Sequence, residues 1–137
     1  MSLVIDASLT MTWYFEDEAT PATKDLLDTV ARNGAVAPPL WRLEVTNAFQ
    51  SGIRRKRFDL AYRDESLADL QRLPITIDTE TDAHIWTTTL RLSDRYSLTI
   101  YDACYLELAQ RLNLPLATLD QELRAAGYAL GLPLLGV

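Results

Sequence analysis

The stretch "LPLATLDQELRAAG", residues 114–127, carries three signals in a row. Its apolar start, Leu114 to Leu119, is short and reads as a buried strand. An acid, Asp120, stands at the end of that strand. Gln121 then opens a helical pattern that Gly127 closes. "SLVID", residues 2–6, has the same order: a short apolar run ending in Asp6, before a helical stretch, "SLTMTWYFE", that starts at Ser8. "AVAPP" (35–39), "PITID" (74–78) and "LPLLGV" (132–137) read as further short strands. Between them lie helices at 21–34, stopped by Gly34, and at 40–56, 59–73, 79–96 and 98–112. Short apolar strands alternating with helices imply a parallel sheet covered on both faces. The expected fold is therefore a three-layer α/β/α domain with a short, mostly parallel central sheet. Ligands of such sheets bind beyond the carboxyl ends of the strands, where Asp6 and Asp120 stand.

A length of 137 residues suits one domain spanning 1–137. At 48% hydrophobic and 23% charged, the chain has the composition of a folded protein. No apolar run approaches the ~18–20 residues of a membrane span. The start, "MSLVIDAS", lacks the basic region of a signal peptide, so a cytoplasmic protein with no membrane partner is expected. The single cysteine, Cys104, excludes an internal disulfide and a cysteine zinc cluster. A net charge of −6 argues against a general nucleic-acid coat but not against a nuclease with an acidic metal site. Of the 13 basic residues 11 are Arg, a side chain suited to bidentate binding of phosphate or carboxylate.

Choosing among 19 acids requires a physical rule. A functional carboxylate should sit in apolar local sequence or at a strand's carboxyl end. Glu16, Asp17 and Glu18 form a solvated run, and Asp64, Glu65 and Asp69 lie on an exposed helix. Asp25, Asp28 and Glu107 read as polar faces. Asp6, Glu44, Asp102 and Asp120 remain. Asp6 and Asp120 are also well placed to cap the helices that follow them. Thr99 and Asp102 make a pattern close to a capping box. Glu44, mid-helix in "WRLEVTNAF" with Asn47 on the same face, has no capping role open to it. If the four acids converge, their mutual repulsion needs a positive centre. No Lys or Arg adjoins Asp6, Glu44 or Asp120 in sequence, and oxygen-only ligands suit Mg²⁺ or Mn²⁺. Such an ion can generate hydroxide and orient it toward a phosphodiester.

"VIDAS", "LEVTNAF", "LTIYDACYLELA" and "LATLD", in that order and spacing, resemble the PIN-domain ribonucleases, and among them the VapC toxins of toxin–antitoxin pairs. The similarity extends over essentially the whole chain. It implies a metal-dependent endoribonuclease that hydrolyses RNA, with Asp6, Glu44, Asp102 and Asp120 as ligands of Mg²⁺, for which Mn²⁺ can substitute. Ser8, Asn47, Thr99 and Thr118 match polar positions that support those acids. The resemblance also implies a cognate antitoxin, with a groove for it among the second and fourth helices, and a homodimer.

Other features have two readings each. "RRKRF" is the only dense basic run, with Arg54, Arg55, Lys56 and Arg57 either solvating a helix end or touching RNA phosphate or an acidic partner. Trp13, Tyr14 and Phe15 belong to the core or an interface, unless one near the acids stacks on a base. The lone His84 cannot supply a pair of histidines for acid–base cleavage, which favours metal-activated water. Cys104, Leu106, Ala109 and Leu112 are expected in the core. The rivals are a receiver-like binding module, a catalytically silent PIN fold and a DNA nuclease of the same metal chemistry. A receiver would show an acidic pair after the first strand and a Lys near the last, and this chain has neither.

Overall fold

The computed structural model describes residues 2–137. Five strands form one sheet in the order β3-β2-β1-β4-β5: β1 Val4–Ile5, β2 Ala35–Ala37, β3 Ile75–Ile77, β4 Leu116–Ala117 and β5 Leu134–Leu135. Every pairing is parallel, with Val4 beside Val36 and Leu116, and Ala37 beside Ile77. β1 and β4 are fully buried, as continuous apolar strands between two helical layers must be. The expected three-layer α/β/α architecture is the one observed.

The chain winds outward from β1 to β3, then returns to the other side of β1 with β4 and β5. Connections therefore diverge at the carboxyl ends of β1 and β4, which opens a crevice there. Asp6 ends one of these strands, and Thr118 to Asp120 end the other.

The helices are α1 Ala7–Met11, α2 Pro21–Asn33, α3 Leu40–Arg54, α4 Leu60–Arg72, α5 Thr81–His84, α6 Leu90–Tyr96, α7 Ile100–Leu112 and α8 Gln121–Ala129. Local chemistry sets their ends. Thr20 and Thr23 cap α2 reciprocally, Pro21 starts it, and Gly34 leaves it at φ 81°. Asp59 caps α4, and Asn113 ends α7 in the left-handed region. Two helices differ from expectation. The stretch begun at Ser8 is helical only to Met11, because Thr12, Trp13, Tyr14 and Phe15 are poor helix formers held by tertiary contacts. Trp13 donates its indole N–H to Thr23 O at 2.9 Å, and Thr12 bonds back to Leu9 O at 2.7 Å. A short 3₁₀ turn, Glu16–Glu18, follows. The long helix expected over 79–96 contains a π segment, Ile85–Thr89, between α5 and α6. Thr87, Thr88 and Thr89 are β-branched residues in this stretch, where α geometry is weakly favoured.

The core centres on α7, which packs against β1, β4, α6 and α8. Leu106 and Ala109 are buried as expected, whereas Leu112 is 40% exposed where the helix leaves the sheet. Glu107, expected on a polar face, is only 2% exposed. Its charge is met by Arg111, one turn on. A second cluster joins Tyr14, Phe15, Phe49, Phe58 and Tyr62 at the far end of α3. There Gly52 lets the Phe58 ring close in, since an added Cβ would stand 2.3 Å from its ring edge. Alanine at 52 would gain helix propensity of at most ~1 kcal/mol. Displacing the ring should cost more, so Gly52→Ala is expected to destabilise by about 1–2 kcal/mol in urea unfolding. An unchanged or higher midpoint would show that Phe58 swings aside freely. Among the described residues, no helix is long and apolar enough to cross a membrane.

Candidate active site

Each of the four selected acids is delivered by a different element to the crevice beyond β1 and β4. Asp6 leaves β1 and caps α1; Asp120 follows β4 and caps α8. Asp102 lies in the first turn of α7, and Glu44 in the N-terminal part of α3. The capping role and the functional placement coincide. A cap sits at a helix N-terminus, and these helices begin where the strands end.

Asp6 is 5% exposed and is the most constrained of the set. Its Oδ1 accepts the Leu9 N–H at 2.9 Å and the Ser8 hydroxyl at 2.8 Å. Its Oδ2 accepts the Thr118 hydroxyl and, at 3.0 Å, the shared Ser8 proton. Ser8 in turn accepts Leu119 N–H at 3.1 Å, and Thr118 accepts Asp120 N–H at 3.0 Å. These two hydroxyls therefore fasten the end of β1 to the end of β4. Thr99 accepts the Asp102 N–H at 3.1 Å, half of the expected capping box. Asn47 is exposed on α3 and makes no hydrogen bond to an acid among the described residues.

The electrostatics show how near the acids stand. Burial pushes the Asp6 carboxyl up to about 6 against the hydrogen bonds from Thr118, Leu9 and Ser8, and Asp120 adds to the rise. Asp102 is also raised, first by burial and then by the charges of Asp120 and Glu44; Glu122 adds a further push. Tyr105 is held strongly in its phenol form by burial, by its bond to Glu44, and by the charges of Glu44, Asp6 and Asp102. No ion pair among the described residues involves any of the four acids. The nearby Arg124 spends its guanidinium on backbone carbonyls instead, those of Thr118 at 2.8 Å and Leu135 at 3.0 Å.

This oxygen-only, uncompensated set suits a hard divalent cation. Among the described residues no three potential ligand side chains are already gathered tightly enough to hold an ion between them. Mg²⁺ held by one or two carboxylates, with water completing its shell, would not need such a cage.

A family profile described as PIN domain matches residues 3–127. The chain belongs to the PIN-domain family. Two solved structures agree with it in shape. PAE2754 from Pyrobaculum aerophilum is 25% identical with a TM-score of 0.68, over 92% of this chain and 87% of that one. A chain of VapBC2 from Rickettsia felis, bound to a DNA fragment from their promoter, is 16% identical with a TM-score of 0.63. That alignment covers 98% of this PIN domain and 97% of the Rickettsia chain, and at such identity it speaks for the fold alone. No curated protein matches the sequence.

The other sequence candidates lie elsewhere in this PIN domain. Arg54 closes α3 ten residues after Glu44, about 15 Å along the helix axis. It donates to Ser51 at 3.0 Å. Arg57 pairs with Asp17 at 2.7 Å and stacks over the Phe15 ring at 4.3 Å. Arg55 and Lys56 are exposed in the turn, with Lys56 at φ 59°. Tyr14 and Phe15 are buried in the aromatic cluster, and the Trp13 indole is tied to α2, so none of the three faces the acids as a stacking platform. Two residues of the acid site escaped sequence reasoning: Tyr105, three residues after Asp102, and Glu122, in the first turn of α8. For Tyr105 the available signal was its spacing, since residues three apart share a helix face.

Proposed function

We propose that this PIN domain, acting as one catalytic unit, is a metal-dependent endoribonuclease and the toxin of a toxin–antitoxin pair. One observation carries the reading. Asp6, Glu44, Asp102 and Asp120 come from four elements, and the charge of Asp120 raises Asp6 while those of Asp120 and Glu44 raise Asp102, with no cationic side chain to relieve them. Proteins keep such repulsion where a cation is to be bound.

Asp6 and Asp102 would hold Mg²⁺ or Mn²⁺, with Glu44 and Asp120 completing the set directly or through water. When bound, the ion lowers the pKa of water and offsets charge on the phosphodiester. Ser8 and Thr118 keep the Asp6 oxygens in place, and Thr99 fixes the backbone turn that presents Asp102. An acid of the cluster, with Asp102 the candidate, would take the proton of the attacking water. Attack on phosphorus then leaves a 5′-phosphate and a 3′-hydroxyl.

The protein would work in the cytoplasm as a homodimer restrained by its antitoxin. A groove of about 290 Å³, between α3, α4 and β3 rather than along α2 as expected, with Val45, Leu67, Leu70 and Ile77 beside Arg42 and Gln71 in its lining, would seat the antitoxin. Arg55 and Lys56 are free to meet RNA phosphate or acidic antitoxin side chains.

The test is cleavage of structured and single-stranded RNAs with Mg²⁺, Mn²⁺ or EDTA, beside Asp102→Asn. Cleavage that needs metal and falls at least ~10³-fold in the variant is expected. Activity that survives EDTA or the substitution would refute the assignment. Absence of both cleavage and Mn²⁺ binding would leave a protein-binding module as the better reading.

A further inference from the structure

We infer that Tyr105 is a positioning residue for Glu44, holding one of its oxygens so that the other is presented to the cation. The inference rests on the nuclease reading above. The four acids differ in how they are held. Asp6 and Asp120 are each fixed by a backbone N–H at a helix N-terminus, Leu9 at 2.9 Å and Leu123 at 2.8 Å. Asp102 is placed by the Thr99 cap of its own helix. Glu44 sits a full turn inside α3, no backbone N–H bonds to its carboxylate, and its side chain has one more torsion than an aspartate. It needs a donor from another element.

Tyr105 is that donor. Its hydroxyl gives its only proton to Glu44 Oε1 at 2.5 Å, the one hydrogen bond the Glu44 carboxylate receives among the described residues. The phenol is 1% exposed and is the largest fully buried side chain, so its ring is fixed by packing. A hydroxyl in such surroundings is costly unless bonded, and phenylalanine would fill the same space without that demand. Because a phenol donates once, Oε2 stays open. Tyr105 and Asp102 lie three residues apart on α7, so one helix carries an acid of the site and the group that aims another across from α3.

The test is Mn²⁺ affinity by calorimetry for wild type, Glu44→Gln and Tyr105→Phe, with thermal midpoints measured alongside. Tyr105→Phe is expected to bind Mn²⁺ about tenfold more weakly, the size of loss usual for partners of metal ligands. It should also raise the Mn²⁺ concentration for half-maximal RNA cleavage, while the rate at saturating Mn²⁺ largely recovers. Weaker binding in Glu44→Gln with unchanged binding in Tyr105→Phe would overturn the inference and leave the nuclease reading intact. Wild type that binds no Mn²⁺ would overturn both. Should Tyr105→Phe fail to fold, wild type labelled with ¹³Cζ-tyrosine and titrated with Mg²⁺ gives the answer. A Tyr105 resonance that shifts with the binding curve supports the inference, and one that stays put overturns it.

Discussion

Replacing Arg111 by alanine is expected to lower the unfolding free energy by about 3–5 kcal/mol, the usual cost of stranding buried charge. Arg111 reaches Glu107 at 2.8 Å and Asp78 at 2.7 Å, with Glu80 at 3.8 Å on the outside. The Glu107 and Asp78 side chains are only 2% and 9% exposed, so water cannot take over from the guanidinium. The bonds also tie α7 to the end of β3, so packing is lost with the charge. For Asp78, burial alone would raise the carboxyl, yet bonds from Arg111 and Thr81 bring it below its ordinary value. A lowered carboxyl stabilises the fold above its unfolded pKa, near ~3.9, and that stability fades as pH falls through the folded value. The gap between wild type and Arg111→Ala should therefore be full at pH 7 and shrink below about pH 4. Urea denaturation at both pH values measures it. A loss under ~1 kcal/mol at pH 7 would mean the network behaves as a surface ion pair.

Asp6→Asn should do two opposite things: abolish metal-dependent cleavage and stabilise the metal-free protein at neutral pH. With Asp6 pushed up to about 6, the folded state keeps a proton that the unfolded chain gives up near ~3.9. The stability tied to that proton is full below ~4 and is lost as pH rises through about 6. At pH 7.5 the deficit amounts to about 3 kcal/mol, from ~1.4 kcal/mol per unit of pKa. Asparagine is neutral throughout and preserves the helix cap. Thermal melts in EDTA should show the wild-type midpoint falling between pH 5 and 7.5, while the variant falls less, its remaining slope belonging to the raised Asp102, and melts higher at pH 7.5. A wild-type midpoint that rises across that range would contradict the burial argument for Asp6. Cleavage retained by the variant would remove Asp6 from the catalytic set.

Much of this was legible because local rules and function coincide in a parallel sheet. Short apolar runs bounded by turn residues and alternating with helices read as buried parallel strands, which places "LVI" and "PLA" in the sheet and the acids that follow them at one edge. What stayed hidden was long-range. Glu107 was read as polar because charge in a helix usually faces water. Its rescue by Arg111 was visible at four residues, but the need for it came from Asp78, 33 residues from Arg111. Tyr105 and Glu44 are 61 residues apart and meet only because α3 and α7 both begin at the crevice. Leu112 fits the buried stripe of α7 by spacing, yet the helix outruns the sheet that would cover it. The π segment at Ile85–Thr89 has no pattern of its own in the sequence.

The bond between Asp6 and Thr118 spans 112 residues. On a ribosome, Asp6 is among the first parts of this fold to emerge, and its partner strand β4 follows only after β2, β3 and seven helices. Until then β1 has a bare edge toward β4, Asp6 lacks the Thr118 hydroxyl, and Asp120 does not exist. The nascent chain thus carries its acids as separate, harmless pieces. The full set of acids comes together only when β4 docks beside β1, a step that follows every other strand of the sheet but β5.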